Sequence, residues 1–119
     1  MNTSEIAERL VKYCRASNWE AAQKELFAPD AVSIEAEAKP GSPKETKGLA
    51  AIVEKGRKFG EMIEQMHSLS VSDPLVAGTA FACTMAIDVT MKGQPRMQVS
   101  ELCVYEVKNG KIISERFFP

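Results

Sequence analysis

Residue types that bind metals and phosphates are scarce in this sequence. Its 119 residues include a single histidine and three cysteines, and Cys14, Cys83 and Cys103 stand far apart, without the short spacing of a metal site. No glycine-rich loop of the kind that holds nucleotide phosphates is present. We therefore expect a protein that works without a metal or any other cofactor.

Long apolar runs and clusters of one charge are also missing. The formal net charge is −1 and no patch of Lys and Arg stands out, so we expect no nucleic-acid partner. No apolar run approaches the roughly 20 residues that a membrane helix needs, and the polar opening "MNTSEIAERL" is not a signal peptide. Because the cysteines sit in apolar patterns, we interpret them as reduced, packed thiols of a cytoplasmic protein.

What is present is the composition of an ordinary globular domain. Hydrophobic residues make up 45% and charged residues 26% of the chain, and its length favours one domain over residues 1–119. Helical spacing after the capping types Thr3 and Ser4 predicts a first helix, and a second is expected over residues 19–27. A short strand is predicted over 31–36 and a third helix over 48–65, with Lys55 among its solvent-facing charges.

From His67 onward the pattern alternates with a period of two, which is typical of strands. Four strands are predicted in a meander, over the segments "HSLSVSDPLVAG", "TAFACTMAIDVTM", "MQVSELCVYEV" and "KIISERFFP". Asn109 and Gly110 form a strong hairpin signal before the last of them. Helices followed by a run of strands favour an α+β fold, with a curved antiparallel sheet wrapped around the N-terminal helices as a cone.

The segment "MQVSELCVYEV" contains the most informative residue of the chain. Its odd-numbered positions share one face of a strand, and Glu101 is the only carboxylate among apolar and aromatic neighbours there. The apolar row of the preceding strand includes Met85 and Ile87, and His67 alternates with Leu69 and Val71. If these rows all face the inside of the cone, Glu101 and His67 share the same cavity.

A carboxyl and an imidazole in an apolar cavity suit proton transfer. Burial disfavours the charged carboxylate, and histidine titrates near neutral pH, so Glu101 is our candidate base and His67 our candidate acid or oxyanion donor. The expected ligand is a small apolar molecule beneath a lid formed by residues 39–47. Candidate ligand-contacting residues are Met85, Ile87, Tyr105, Trp19 and Glu35. For Tyr105 and Trp19 the pattern favours a structural role over a catalytic one, and for Glu35 it favours a solvated face over the rim of the pocket.

A structural interpretation of Glu101 is nearly as good. Arg116 or Arg96 could neutralise it in an ion pair, and the chain would then be a non-catalytic ligand-binding or dimerisation module. The opposite face of the "TAFACTMAIDVTM" strand carries small residues and Asp88, and a homodimer could form through it.

The segments "LFAPDAVSIEA", "KGLAAIVEKG" and "ELCVYEVKNGKIISERFF" resemble the SnoaL-like branch of the nuclear transport factor 2-like superfamily. The resemblance covers essentially the whole chain. It implies a cone-shaped α+β barrel with a deep apolar pocket, and commonly a homodimer formed through the sheet. Such families include polyketide cyclases, steroid isomerases, dehydratases and epoxide hydrolases, which use Asp, Glu and His side chains inside the cone without a cofactor, as well as non-catalytic modules. Here the corresponding candidates are Glu101 and His67.

Overall fold

Two helices open the fold. The computed structural model describes residues 1–38 and 43–119. Helix α1 spans Thr3–Arg15 and α2 spans Trp19–Leu26. The cap of α1 is Asn2 rather than Thr3 or Ser4: its side chain accepts a hydrogen bond from the Glu5 amide at 2.9 Å, and the Glu5 carboxylate accepts one from the Asn2 amide at 3.0 Å. This reciprocal pair satisfies two backbone donors that the helix itself leaves unbonded.

The first strand begins earlier than the sequence pattern predicts. Strand β1 spans Phe27–Ile34 and follows α2 directly. Its pairing is interrupted between Phe27 and Val32, where Pro29 and Asp30 are exposed. Because proline cannot donate a ladder hydrogen bond, it is tolerated at such an irregularity, and the strand continues past it.

The remaining elements complete one sheet around the helices. They are β2 (Glu45–Lys47), α3 (Leu49–Met62), β3 (Ile63–Val71), β4 (Leu75–Ala77), β5 (Ala80–Met91), β6 (Met97–Lys108) and β7 (Lys111–Phe118). Helix α3 ends before residue 65, because Ile63 already pairs with Met91 of β5. The predicted four-stranded meander holds five strands, since the segment that begins at His67 divides into β3 and the short β4.

The sheet is mixed rather than wholly antiparallel. Its order is β2-β1-β7-β6-β5-β3, with β4 paired to β5. Strands β1 and β7 run parallel and the other pairs are antiparallel. The parallel pair brings the first strand beside the last, so residues of β1 and β7 become neighbours on the same face. The hairpin at Asn109 and Gly110 is confirmed, with positive φ angles of 53° and 74° as a type I′ turn requires.

The core lies between α1 and the concave face of the sheet. Ile6, Leu10 and Cys14 of α1 are buried among the inward row of β5 and β6. Phe81 and Tyr105 pair across those strands, and their rings stack with centroids 4.8 Å apart. The α+β cone predicted from the element order is therefore confirmed. Among the described residues, no helix is long and apolar enough to cross a membrane.

Candidate active site

Glu101 lies on the concave face, as its place in an apolar row predicts. It pairs with Met85 across β5 and β6 and is half-buried. It lines a cleft of about 400 Å³ at the open end of the cone, together with Val99, Phe117 and Glu35. The cleft thus combines an aromatic ring and an aliphatic side chain with three glutamate carboxylates, since Glu37 lines it as well.

The two arginines considered as partners of Glu101 each make a contact with another residue. Arg96 makes two hydrogen bonds to Asp88, at 2.8 and 2.6 Å, and Arg116 lies over the Phe118 ring at 5.7 Å. The hydrogen bonds from Arg96 lower the pKa of Asp88 to about 2. Asp88 lies on the outer face of β5, as expected, and its neighbours there cover it.

His67 does not share the face of Glu101. The pairing of β3 with β5 shifts between Met66 and Ser68, so His67 is the extra residue of a β-bulge. Its Nε2 atom is hydrogen-bonded to Thr90 Oγ1 at 2.7 Å. Thr90 belongs to the outward row of β5, with Asp88. The predicted Glu101–His67 pair is therefore not formed, because the bulge breaks the alternation on which the prediction depended.

The predicted ligand-contacting residues divide into two groups. Met85 and Ile87 are half-buried in the inward row of β5, where they pair with Glu101 and with the cleft residue Val99. By contrast, Tyr105 is only 2% exposed beneath the Phe81 ring, and Trp19 is a half-buried residue packed against the core. The last two are placed as core residues rather than at the cleft.

Glu35 lies at the cleft, held by a lysine that the helical pattern assigned to solvent. Lys55 Nζ of α3 donates hydrogen bonds to Glu35 Oε1 at 3.1 Å and to Ser33 Oγ at 2.8 Å. The Lys55 side chain is half-buried, because α3 packs against β1 and directs it towards Ser33 of that strand.

Thr46, which pairs with Ser33 across β1 and β2, has a buried hydroxyl that makes no hydrogen bond to the described residues.

Behind the cleft lies a buried carboxyl, Glu115, that the sequence pattern did not predict. Glu115 of β7 is 6% exposed and pairs with Tyr105 on one side and with Ser33 on the other, so the Ser33 hydroxyl lies beside its carboxyl. Burial raises the pKa of Glu115 to about 7, and the Ser33 hydroxyl and the Lys55 charge oppose that rise. One sequence signal could have indicated this carboxyl. In "ERFF", Glu115 alternates with Phe117, just as Glu101 alternates with apolar residues in its own strand.

A second bulge turns Glu115 inward. Val107 pairs with Ile112, and Glu106 pairs with Ser114, so Ile113 is the extra residue. Ile112 and Glu115 consequently both face the core, although they are three positions apart. Without that bulge, a strand with Ile112 facing inward would carry Glu115 on its outer face.

Two further expectations concern the loop and the thiols. Residues 39–42 of the predicted lid lie outside the described residues, and residues 45–47 form strand β2 rather than a loop. The thiols of Cys14, Cys83 and Cys103 are buried and form no disulfide in the described structure. Burial raises the pKa of Cys14 to about 12, which disfavours the reactive thiolate there. Within residues 1–38 and 43–119, no group of three or more His, Cys, Asp or Glu side chains could hold a metal ion.

Comparison with known proteins agrees with this architecture. The search of curated proteins gives no match. A solved structure from Mesorhizobium loti, described as a SnoaL-like polyketide cyclase, is 32% identical, with a TM-score of 0.92 and 100% of both chains covered. A structure from Bacillus subtilis, described as an isomerase, is 23% identical with a TM-score of 0.75, and the match covers 98% of this chain and 88% of that one. TerC, co-crystallised with polyporic acid, is 15% identical with a TM-score of 0.78, and the match covers 98% of this chain and 91% of that one.

The whole chain also matches one family. The SnoaL-like domain covers residues 1–119, the full length of the sequence. Its relatives share the α+β cone described above, and those with low identity support the fold alone. The protein belongs to the SnoaL-like family.

Proposed function

We propose that the protein binds a small, largely apolar molecule in the cleft and transfers a proton on it, with Glu101 as the base. The reaction would be of the isomerase, cyclase or dehydratase type, without a cofactor. The observation that carries this proposal is the position of Glu101 in the cleft wall beside the Phe117 ring and Val99. An aromatic ring and aliphatic groups bind an apolar ligand, and a carboxylate in the same wall can remove a proton next to a carbonyl group.

The comparisons support the class of ligand without identifying the compound. TerC, which shares the fold, was co-crystallised with polyporic acid, and the Mesorhizobium loti relative is described as a polyketide cyclase. Both descriptions suggest unsaturated or aromatic oxygenated compounds. The proposal omits His67, because that side chain lies on the outer face of the sheet. A cytoplasmic location remains part of the proposal and depends on the three unbridged thiols.

A thermal-shift screen tests binding, and the consumption of the compounds that bind tests catalysis. Apolar carbonyl compounds, epoxides and aromatic acids would be tested on the wild type, on Glu101→Gln and on the control Glu106→Gln, an exposed glutamate of the same strand. A ligand that binds the folded state raises its melting temperature by mass action. We expect the same compounds to stabilise all three proteins, and their turnover to be lost only in Glu101→Gln.

Two results would contradict the proposal. If no compound raises the melting temperature, and Glu101→Gln alone melts far lower than the wild type, Glu101 belongs to the scaffold. If compounds bind but are consumed equally by Glu101→Gln, the cleft is a binding site in which Glu101 is not the base.

A second proposal concerns assembly. We propose a homodimer formed through the outer face of the sheet, where Leu102 and Phe118 pair across β6 and β7 and are 41% and 43% exposed. Large apolar side chains that lie together on a sheet face lose contact with water when a second copy covers them. This assembly is compatible with the proposed catalysis, because the cleft opens on the other face.

A further inference from the structure

Glu115 is the most deeply buried carboxyl that the proposed reaction does not use. It is 6% exposed, and Ser33, its neighbour on β1, is fully buried. Charged or titratable groups face it from α1, α3, β6 and the residue that follows β1: they are Cys14, Lys55, Glu101, Cys103, Tyr105 and Glu35. Among the residues that the structure describes, Lys55 is the only cation in this set. Within that part of the chain, the positive charge near Glu115 therefore comes from a single side chain.

Ser33 and Lys55 lie between Glu115 and the cleft, because Ser33 is the β1 neighbour of Glu115 and bonds Lys55. Ser33 Oγ accepts a hydrogen bond from Lys55 at 2.8 Å, which leaves the Ser33 proton free to bond the Glu115 carboxylate. The same ammonium group donates to Glu35, which lines the cleft, at 3.1 Å. Lys55 thus bonds a wall residue of the cleft and also the hydroxyl group that lies beside the buried carboxyl.

We propose that Glu115, Ser33 and Lys55 form the proton-holding unit of the site, and this inference rests on the proposed function. In the ligand-free protein, Glu115 keeps its proton to a higher pH than an exposed glutamate does, because it is buried among acidic neighbours. Lys55, acting through Ser33 and through its charge, determines how firmly that proton is held. Glu35 also accepts a hydrogen bond from Lys55, so a ligand that moves Glu35 changes how firmly Glu115 holds its proton. Glu101 remains the group that touches the ligand, and Lys55 and Ser33 are positioning residues.

The physical argument follows from the signs of the contacts. A nearby cation and a donated hydrogen bond both stabilise the ionised carboxylate, whereas burial and neighbouring carboxylates favour the protonated form. A ligand that displaces Glu35 from Lys55, or neutralises Glu101, changes that balance. Because coupled equilibria are reciprocal, the protonation of Glu115 must then affect ligand affinity by the same free energy. A group that titrates near the working pH is well suited to acid–base chemistry.

The titration of Glu115 in the ligand-free protein tests this arrangement. Side-chain carboxyl carbons of ¹³C-labelled glutamate would be followed by NMR across the pH range, with Glu115→Gln identifying the signal. We expect the midpoint of Glu115 to rise by about half a pH unit or more in Lys55→Met and in Ser33→Ala, and to fall in Glu35→Gln. The matched control is Lys58→Met, which removes an exposed lysine from the same helix and should leave the midpoint unchanged.

The outcomes separate this inference from the proposed function. An unchanged midpoint in Lys55→Met, or equal shifts in Lys55→Met and Lys58→Met, would overturn it. So would a wild-type midpoint at the ordinary value for glutamate. If the midpoints move as expected but no compound binds in the thermal-shift screen, the proposed function fails while the hydrogen-bonded unit stands. If compounds bind and Glu101 is required for turnover, but the midpoints do not move, only the inference fails.

Discussion

Replacing Glu115 by glutamine should change how the free energy of unfolding depends on pH. The carboxyl is 6% exposed, and its pKa in the folded protein is about 7, compared with 4.5 for an unperturbed glutamate. A group whose pKa is raised by folding contributes its full stability below the unfolded value and loses it as the pH rises through the folded value. Glu115 should therefore destabilise the wild type progressively between about pH 4.5 and pH 7.

The gap between these two pKa values corresponds to roughly 3 kcal/mol, since one pKa unit is equivalent to about 1.4 kcal/mol. Glutamine resembles the protonated side chain in shape and does not ionise, so Glu115→Gln should lack this loss. Relative to the wild type, the variant should gain roughly 3 kcal/mol between about pH 4 and pH 8. All other titrating groups are common to both proteins and largely cancel in the difference.

Urea denaturation at a series of pH values measures this difference. Unfolding would be followed by circular dichroism, and equal m-values for the two proteins would show that the denatured states are comparable. Glu106→Gln serves as the control, because Glu106 is exposed on the neighbouring strand, and its stability curve should run parallel to that of the wild type. Parallel curves for Glu115→Gln and the wild type from pH 5 to pH 8 would refute the argument, since they would show that Glu115 titrates alike in both states.

Two further predictions concern the outer face of the sheet. His67→Ala should leave ligand-induced thermal shifts and turnover unchanged, because the His67 ring bonds Thr90 away from the cleft. Loss of turnover at unchanged ligand affinity would contradict this prediction and would show that His67 takes part in the reaction. Leu102→Arg should convert a dimer into a monomer in light scattering coupled to size-exclusion chromatography, since it places a charge among apolar side chains of the proposed interface. The cleft variant Val99→Thr is its control and should remain dimeric; a wild type that is monomeric at high concentration would refute the proposed dimer.

Much of the fold was predictable because local signals and long-range packing agree. The apolar stripe of α1, the alternation of β5 and the Asn109–Gly110 turn each specify a local structure that the tertiary fold preserves. The resemblance of whole segments to SnoaL-like proteins added the curvature of the sheet. The parallel pairing of β1 with β7 has no local signal, because it joins residues about 80 positions apart in the sequence.

Lys55 shows why a helical pattern cannot assign every charged residue. Its position on α3 is polar, and a polar position in an amphipathic helix normally faces solvent. Here Ser33 is a buried polar residue of β1 and Glu35 follows the end of that strand, so the Lys55 ammonium group bonds a hydroxyl and a carboxylate. Only the packing of α3 against β1 reveals that these three residues meet.

The candidate site is decided by two single-residue irregularities in the sheet. One bulge places His67 on the outer face, and another, at Ile113, turns Glu115 towards the core. A strand pattern with a strict period of two assigns every residue to a face, and each inserted residue reverses that assignment from its position onward. The alternation therefore predicts an ionisable partner for Glu101 on β3, whereas the sheet supplies a buried carboxyl on β7. Because bulges are retained where they direct a side chain, the one at Ile113 itself favours a role for Glu115 beyond packing.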